Sequence, residues 1–452
     1  MAATTAEAPA PPPPPAAAAT THRGLPPKIR MPMPLQTLGW LSRPFPFIER
    51  ARAKYGDTFR MDLGRDEFVV LTDPADVKQV FTGDPAIYHA GISNIILLPF
   101  LGSKSVLLLD GAQHLSQRRL LLPPFHGEKM RQHVDLMTEI AERDVAAWPR
   151  DVPFRAHPRM QGVTLEVIMR IVFGVDEGDP LLARLRTDLR TFLDASVDPR
   201  VMRKLLFYGP VKADAKRIFA KVLDPMDATI AEVIAQAKRR DDLDERDDVL
   251  SMLLLARHED GTPMDETELR DELVTLLVAG HETTATALAW ALERLTRHPD
   301  VLDRLTEEVR AGDSEDYVDA VIRETLRLRP VIPFVGRMLQ QPQTIGGWDL
   351  PKGARVAPSI HLMHRRPDIY PDPAAFRPER WLGVRPNPYT FLPFGGGIRR
   401  CLGASFAETE MRAVLGAIVR NVILRPAAPA SERVGRRVIT LVPGRGAEII
   451  AS

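Results

Sequence analysis

The chain has 452 residues, 44% hydrophobic and 26% charged, the balance of a globular protein able to bury a large core. Its 60 Lys and Arg against 59 Asp and Glu leave a net charge of +1, without the strong basicity of a nucleic-acid-binding domain. A single cysteine, Cys401, excludes an intramolecular disulfide framework and a four-thiolate zinc site.

Residues 1–27 hold a run of prolines followed by alanines, a low-complexity leader that cannot build a core. It lacks the basic and apolar regions of a secretory signal, and no run of about 18 apolar residues predicts a membrane span. A cytoplasmic protein with one domain over residues 28–452 is expected. Two strand-like runs, Thr58–Leu63 and Glu67–Leu71, flank a turn at Gly64, and Asp73–Phe81 reads as a capped helix. The stretches Met130–Trp148, Leu182–Leu193 and Val211–Lys238 are amphipathic with helical spacing. A long periodic segment from Asp265 to Arg297 is predicted to be one helix, capped by Asp265 with Glu268 and ended before Pro299. Thr344–Val356 reads as a hairpin, and Val438–Val442 as a late strand. The proline-rich stretch Arg366–Pro388 excludes regular helix or central strand. The expected class is mainly α with small β-sheets.

The densest signal is Phe394-Gly395-Gly396-Gly397-Ile398-Arg399-Arg400-Cys401-Leu402-Gly403. Its glycines permit tight turning and close approach to a flat ligand. An apolar segment of helical spacing follows, so Cys401 stands just before a helix N-terminus, where dipole and free N–H groups favour a thiolate. Such a thiolate suits an axial haem ligand, and the plain alternative is a buried structural cysteine. Within Asp265–Arg297, Gly280 costs about 1 kcal/mol relative to Ala, which calls for a close-approach reason. Thr283 lies one turn after Ala279, where its hydroxyl can bond that carbonyl. Zinc chemistry of the His-Glu-x-x-His type fails, because Ala285 stands where the second histidine is needed. Glu324 and Arg327 are i,i+3 on a helix with apolar flanks, and His114 and Arg118 are i,i+4.

Together these motifs resemble the cytochrome P450 family of haem-thiolate monooxygenases, soluble bacterial type, from about Pro27 to the C-terminus. The resemblance implies that fold, with a long central helix over the haem and the cysteine loop on the proximal side. It implies haem b, with Cys401 as iron ligand and Phe394, Gly395, Arg399 and Gly403 completing the loop. Ala279 and Gly280 would flank the distal face, with Gly280 leaving room for dioxygen. Glu282 and Thr283 would form an acid–alcohol proton relay for dioxygen activation. His114, Arg118, Arg337 and Arg399 would meet the haem propionates. Glu324, Arg327 and Arg380 would form a structural ion-pair network.

Only about fifty residues follow Cys401, too few for a flavin domain, so a ferredoxin or flavodoxin with its reductase is the expected electron source. Basic residues Arg118, Arg119, Lys129, Arg131 and Arg400 could steer such an acidic partner. The predicted substrate segments, with Ile95, Leu97 and Leu98 in one and Val331, Ile332 and Phe334 in the other, carry no charge. A small apolar substrate of fatty-acid, terpenoid or steroid-like type is expected. The alternatives are a peroxygenase or isomerase/dehydratase on the same fold, and a non-enzymatic haem sensor.

Overall fold

The computed structural model describes residues 24–64, 66–125, 127–174, 178–197, 213–437 and 439–452. Most of the predicted leader lies outside them, as do Val211, Lys212 and Val438. Residues 24–27 are tied to the fold: the Arg60 N–H donates to the Pro27 carbonyl at 2.8 Å and its Nε to that of Pro26.

A central helix, Glu266–Leu295, organises the main core. Its start is a reciprocal capping box, with the Glu268 N–H on Asp265 Oδ1 at 2.8 Å and the Asp265 N–H on Glu268 Oε2 at 3.0 Å. The helix Ala156–Phe173 packs along it through Val163, Val167, Ile168 and Ile171. The helix Ala404–Asn421 joins the same core through Val414, Leu415 and Ile418, and Val134–Ala146 through Met137 and Ile140. The predicted Met130–Trp148 helix is broken: Gly127–Arg131 and Val134–Ala146 are separate. Pro180–Val197 and Ala213–Ala237 are helical, the latter around an internal Pro225.

A five-stranded sheet stands beside the helices in the order Thr58–Leu63, Asp66–Leu71, Arg355–Pro358, Arg337–Leu339, Tyr88–His89. Only the contact between Asp66–Leu71 and Arg355–Pro358 is parallel, with Val69 opposite Val356. The predicted Thr344–Val356 hairpin is Gln343–Ile345 against Trp348–Leu350, turned by Gly346 and Gly347 at φ of +57° and +78°. Its remainder continues into the larger sheet. Thr440–Pro443 pairs with Val434–Arg437, and Arg366–Pro388 is turns with one 3₁₀ segment, Pro378–Trp381.

Candidate functional site: a cysteine loop, a cation cluster and a broken core surface

The cysteine loop is pressed against the helix Pro74–Thr82. A Cβ on Gly396 would lie 2.2 Å from Phe81 Cδ2, and one on Gly397 1.9 Å from the Phe81 carbonyl oxygen. Gly397 also sits at φ +65°, so no other residue fits there without moving backbone. The Cys401 N–H donates to the Phe394 carbonyl at 2.9 Å, closing the loop, and Gly403 then begins the Ala404–Asn421 helix. Burial pushes the Cys401 thiol up, while the Gly403 N–H and the charges of Arg400 and Arg118 act in the opposite sense. The side chain nevertheless carries accessible surface, so it faces an opening within the protein.

A second opening interrupts the central helix. Leu273–Leu277 and Thr284–Leu295 are buried, whereas Ala279 between them is exposed and Gly280 and Thr283 are half-buried. The Thr283 hydroxyl donates to the Ala279 carbonyl at 2.6 Å, as the spacing predicts. Gly280 departs from expectation. Its Cβ direction leads to Ile168 Cδ1 at 2.9 Å, so the close approach it allows is between two helices. Glu282 turns toward the Ala156–Phe173 helix, accepting from Gln161 Nε2 at 2.7 Å, with His157 Nε2 at 3.7 Å and Arg437 Nε at 3.6 Å. Burial raises its carboxyl above the usual range. Thr284 is buried and faces Glu410.

The predicted propionate residues gather in one cluster. Burial, then the charges of Arg399, Arg118 and Arg337, holds the His114 imidazole down to about 3, and its Nδ1 has no hydrogen-bond partner. Arg337 is buried and bonds the Gly336 carbonyl at 2.8 Å; among the described residues no carboxylate pairs with it. Burial, followed by the charge of Arg399, pushes it down to about 10. Arg118 donates to the Arg400 carbonyl at 2.7 Å. Arg399 bonds Asp110 Oδ1 at 2.6 Å and the Leu109 and Val106 carbonyls. Asp110 was not foreseen as its partner. Standing before the Gly111–Leu121 helix it reads as a cap, but its carboxylate accepts from the Ala90 and Gly91 N–H groups instead. Of the three guanidiniums only that of Arg399 bonds a carboxylate, Asp110, so positive charge is in surplus here. That surplus, the orphaned His114 nitrogen and the accessible thiol fit a dianionic, metal-bearing flat group. Among the described residues no three His, Cys, Asp or Glu side chains are grouped to hold a metal ion.

The Glu324–Arg327 pair is fully buried. Arg327 Nε and Nη2 reach the two Glu324 oxygens at 2.8 Å each, and its other donors take the His364, Pro373 and Ala375 carbonyls. Arg380 Nε joins at 3.1 Å. Trp381 Nε1 and the Arg377 N–H, both at 2.9 Å, complete the carboxylate's shell and were missed in the sequence. Of the predicted substrate residues, Ile95, Leu97, Leu98 and Ile332 are half-buried and Val331 belongs to the main core. Phe334 packs against Trp40 and Phe68, with ring centroids 5.4 and 5.7 Å away.

The family model described as cytochrome P450 matches residues 26–432. The chain belongs to the cytochrome P450 family. It is 42% identical to a protein of Mycobacterium tuberculosis provisionally named cytochrome P450 135B1, over 95% of this chain and 92% of the relative. It is 37% identical to one from the same species provisionally named cytochrome P450 138, covering 94% and 96%. The retinoic acid-bound cyanobacterial CYP120A1 shares the fold, with a TM-score of 0.79 at 24% identity over 95% and 99% of the two chains. This P450 is therefore a haem b protein of the monooxygenase family, mainly helical with small sheets. Among its described residues no helix is long and apolar enough to cross a membrane.

Proposed function

We propose that haem b lies between the Cys401 loop and the Ala279–Thr283 stretch, and that this P450 oxygenates a small apolar molecule with electrons from a separate ferredoxin or flavodoxin and its reductase. Bound haem supplies the reduction of dioxygen and the insertion of one of its atoms into a C–H or C=C bond. The protein's residues do the rest. Cys401 would supply the sulfur that holds the haem iron, with the Gly403 N–H directed at it. Arg118, Arg337, Arg399 and the neutral His114 hold the two propionates by charge and hydrogen bonding. Because the Thr283 proton is committed to the Ala279 carbonyl, its oxygen is left as an acceptor and its position is fixed. Glu282, its carboxyl raised by burial, relays protons inward from the Gln161–His157 side. Ile95, Leu97, Leu98 and Ile332 offer uncharged surface for the substrate.

The single observation carrying this reading is the Thr283–Ala279 hydrogen bond beside an exposed Ala279 set between the buried runs Leu273–Leu277 and Thr284–Leu295. The test is oxygen uptake driven by NADPH through a surrogate ferredoxin and reductase, with an apolar ligand library screened for a Soret shift. Oxygenated product from dioxygen is expected. Turnover with hydrogen peroxide alone, and none with dioxygen and electrons, would replace the reading by a peroxygenase.

A further inference from the structure

The first helix among the described residues, Met33–Ser42, is inside out. Its buried residues are Gln36 and Trp40, while Leu35, Leu38 and Leu41 are 52%, 60% and 51% exposed. At about 100° per residue the three leucines fall within a stripe about 120° wide, and Gln36 and Trp40 lie diametrically opposite. The inversion is held in place from within. Gln36 Nε2 donates to the Met31 carbonyl at 2.8 Å, its Oε1 accepts from the Asp62 N–H at 2.9 Å, and Trp40 packs on Phe334. Leu25, Met31 and Met33 are also exposed, so among the described residues six of the fourteen large apolar side chains left in solvent lie within residues 25–41. The other eight are scattered along the chain, so this concentration is a feature of one surface.

Charge is segregated to the same region. Residues 24–56 carry six Lys and Arg and a single acid, Glu49, in a chain whose net charge is only +1. Glu49 is taken by His361, Lys28 by Asp62 and Glu67, and Arg52 by Asp57. Arg30, Arg43, Arg50 and Lys54 are exposed and form no ion pair among the described residues. Arg30 adjoins Met31 before the leucine stripe and Arg43 caps its far end, while Arg50 and Lys54 share one face of the next helix, Pro44–Tyr55.

We infer that the Leu35–Leu38–Leu41 stripe with its flanking arginines docks this P450 on the surface of an anionic lipid bilayer, as a peripheral contact rather than a span. Leucines enter the acyl boundary while the arginine and lysine heads stay at the phosphate level, the division of labour of an interfacial amphipathic helix. Charge decides against the other occupants. A two-fold contact between copies would set Arg30 and Arg43 near their own counterparts. The chain's own apolar segment 198–212 is itself basic, with Arg200, Arg203, Lys204 and Lys212 against Asp198.

The haem-loaded full chain is tested by co-sedimentation with vesicles of phosphatidylcholine alone and of phosphatidylcholine mixed equally with phosphatidylglycerol. At low salt, binding to the anionic vesicles should exceed that to the neutral ones by roughly tenfold, and it should collapse at about 1 M salt, where screening shortens to about 3 Å. Leu35→Ser with Leu38→Ser and Leu41→Ser should lower anionic-vesicle binding by roughly tenfold, since apolar insertion is removed. Arg30→Glu with Arg43→Glu should do the same through charge alone. All altered positions are exposed, and an unchanged ferrous–CO spectrum verifies folding. Absence of binding to anionic vesicles, or binding unaffected by both sets of changes, overturns the inference. So does a wild-type dimer in sedimentation velocity that the leucine changes convert to monomer.

Discussion

The Thr283 hydroxyl gives its proton to the Ala279 carbonyl, 2.6 Å away and one turn back along the central helix. Thr284, the next residue, points into the core toward Glu410. Two adjacent threonines therefore have opposite surroundings. Replacing Thr283 by Ala should leave haem content and NADPH oxidation in place but divert electrons to hydrogen peroxide. Product per NADPH should drop sharply, toward the roughly 10²–10⁴-fold of a lost general acid–base contribution. Thr284→Ala should leave that ratio nearly unchanged. Equal coupling in the two variants would remove Thr283 from dioxygen activation.

Glu324 binds five donors in the core, and Arg327 uses all of its own. Glu324→Gln keeps the shape but strands a fully buried guanidinium, at a cost of about 3–5 kcal/mol. The denaturation midpoint of the haem-loaded protein should fall accordingly. A loss below about 1 kcal/mol would mean that the carbonyls of His364, Pro373 and Ala375 alone satisfy Arg327.

Much of this was legible in the sequence, because motifs carry local spacing. The capping box, the Thr283–Ala279 bond and the Glu324–Arg327 pair are all within four residues, and helical geometry alone brings them together. What escaped reading is brought in by tertiary packing. Trp381 meets Glu324 across 57 positions, Gln161 meets Glu282 across 121, and Arg399 meets Asp110 across 289. No periodicity records such contacts. Gly280 shows the subtler failure: its cost in a helix was visible, but whether the space belonged to a ligand or to Ile168 was a matter of packing direction.

His281 gives a pH signature of definite sign. Burial holds its imidazole down to about 3, against 6.5 for the ordinary side chain, with Thr164 Oγ1 at 2.9 Å from Nδ1. As pH falls below 6.5 the unfolded chain takes up a proton that the folded chain refuses, so this contribution to stability is present above 6.5 and lost toward 3. Each unit in that window removes about 1.4 kcal/mol. Burial gives Glu272 the reverse behaviour by raising it to about 8, so the total pH profile mixes both signs. The clean measurement is a difference. The stability gap between wild type and His281→Gln, which cannot titrate, should shrink by about 1.4 kcal/mol per unit from pH 6.5 to 5. A constant gap would show that His281 takes up a proton in the folded protein as readily as in the unfolded chain.

Arg337 separates holding a cofactor from holding the fold. Its guanidinium is buried beside Arg399, and Asp110, the carboxylate of this cluster, is engaged by Arg399. A buried charge in that position destabilises the chain on its own account, and it becomes favourable once an anionic group arrives. Arg337→Met should therefore leave the thermal midpoint of haem-free protein unchanged or raised, because a desolvated cation is exchanged for an apolar side chain of similar length. The loaded protein should behave oppositely and release haem to apomyoglobin roughly tenfold faster, the loss of one charge-assisted contact. The two readouts together distinguish the roles. A lower midpoint without haem, combined with unchanged release, would make Arg337 a packing residue and leave His114, Arg118 and Arg399 to hold the propionates.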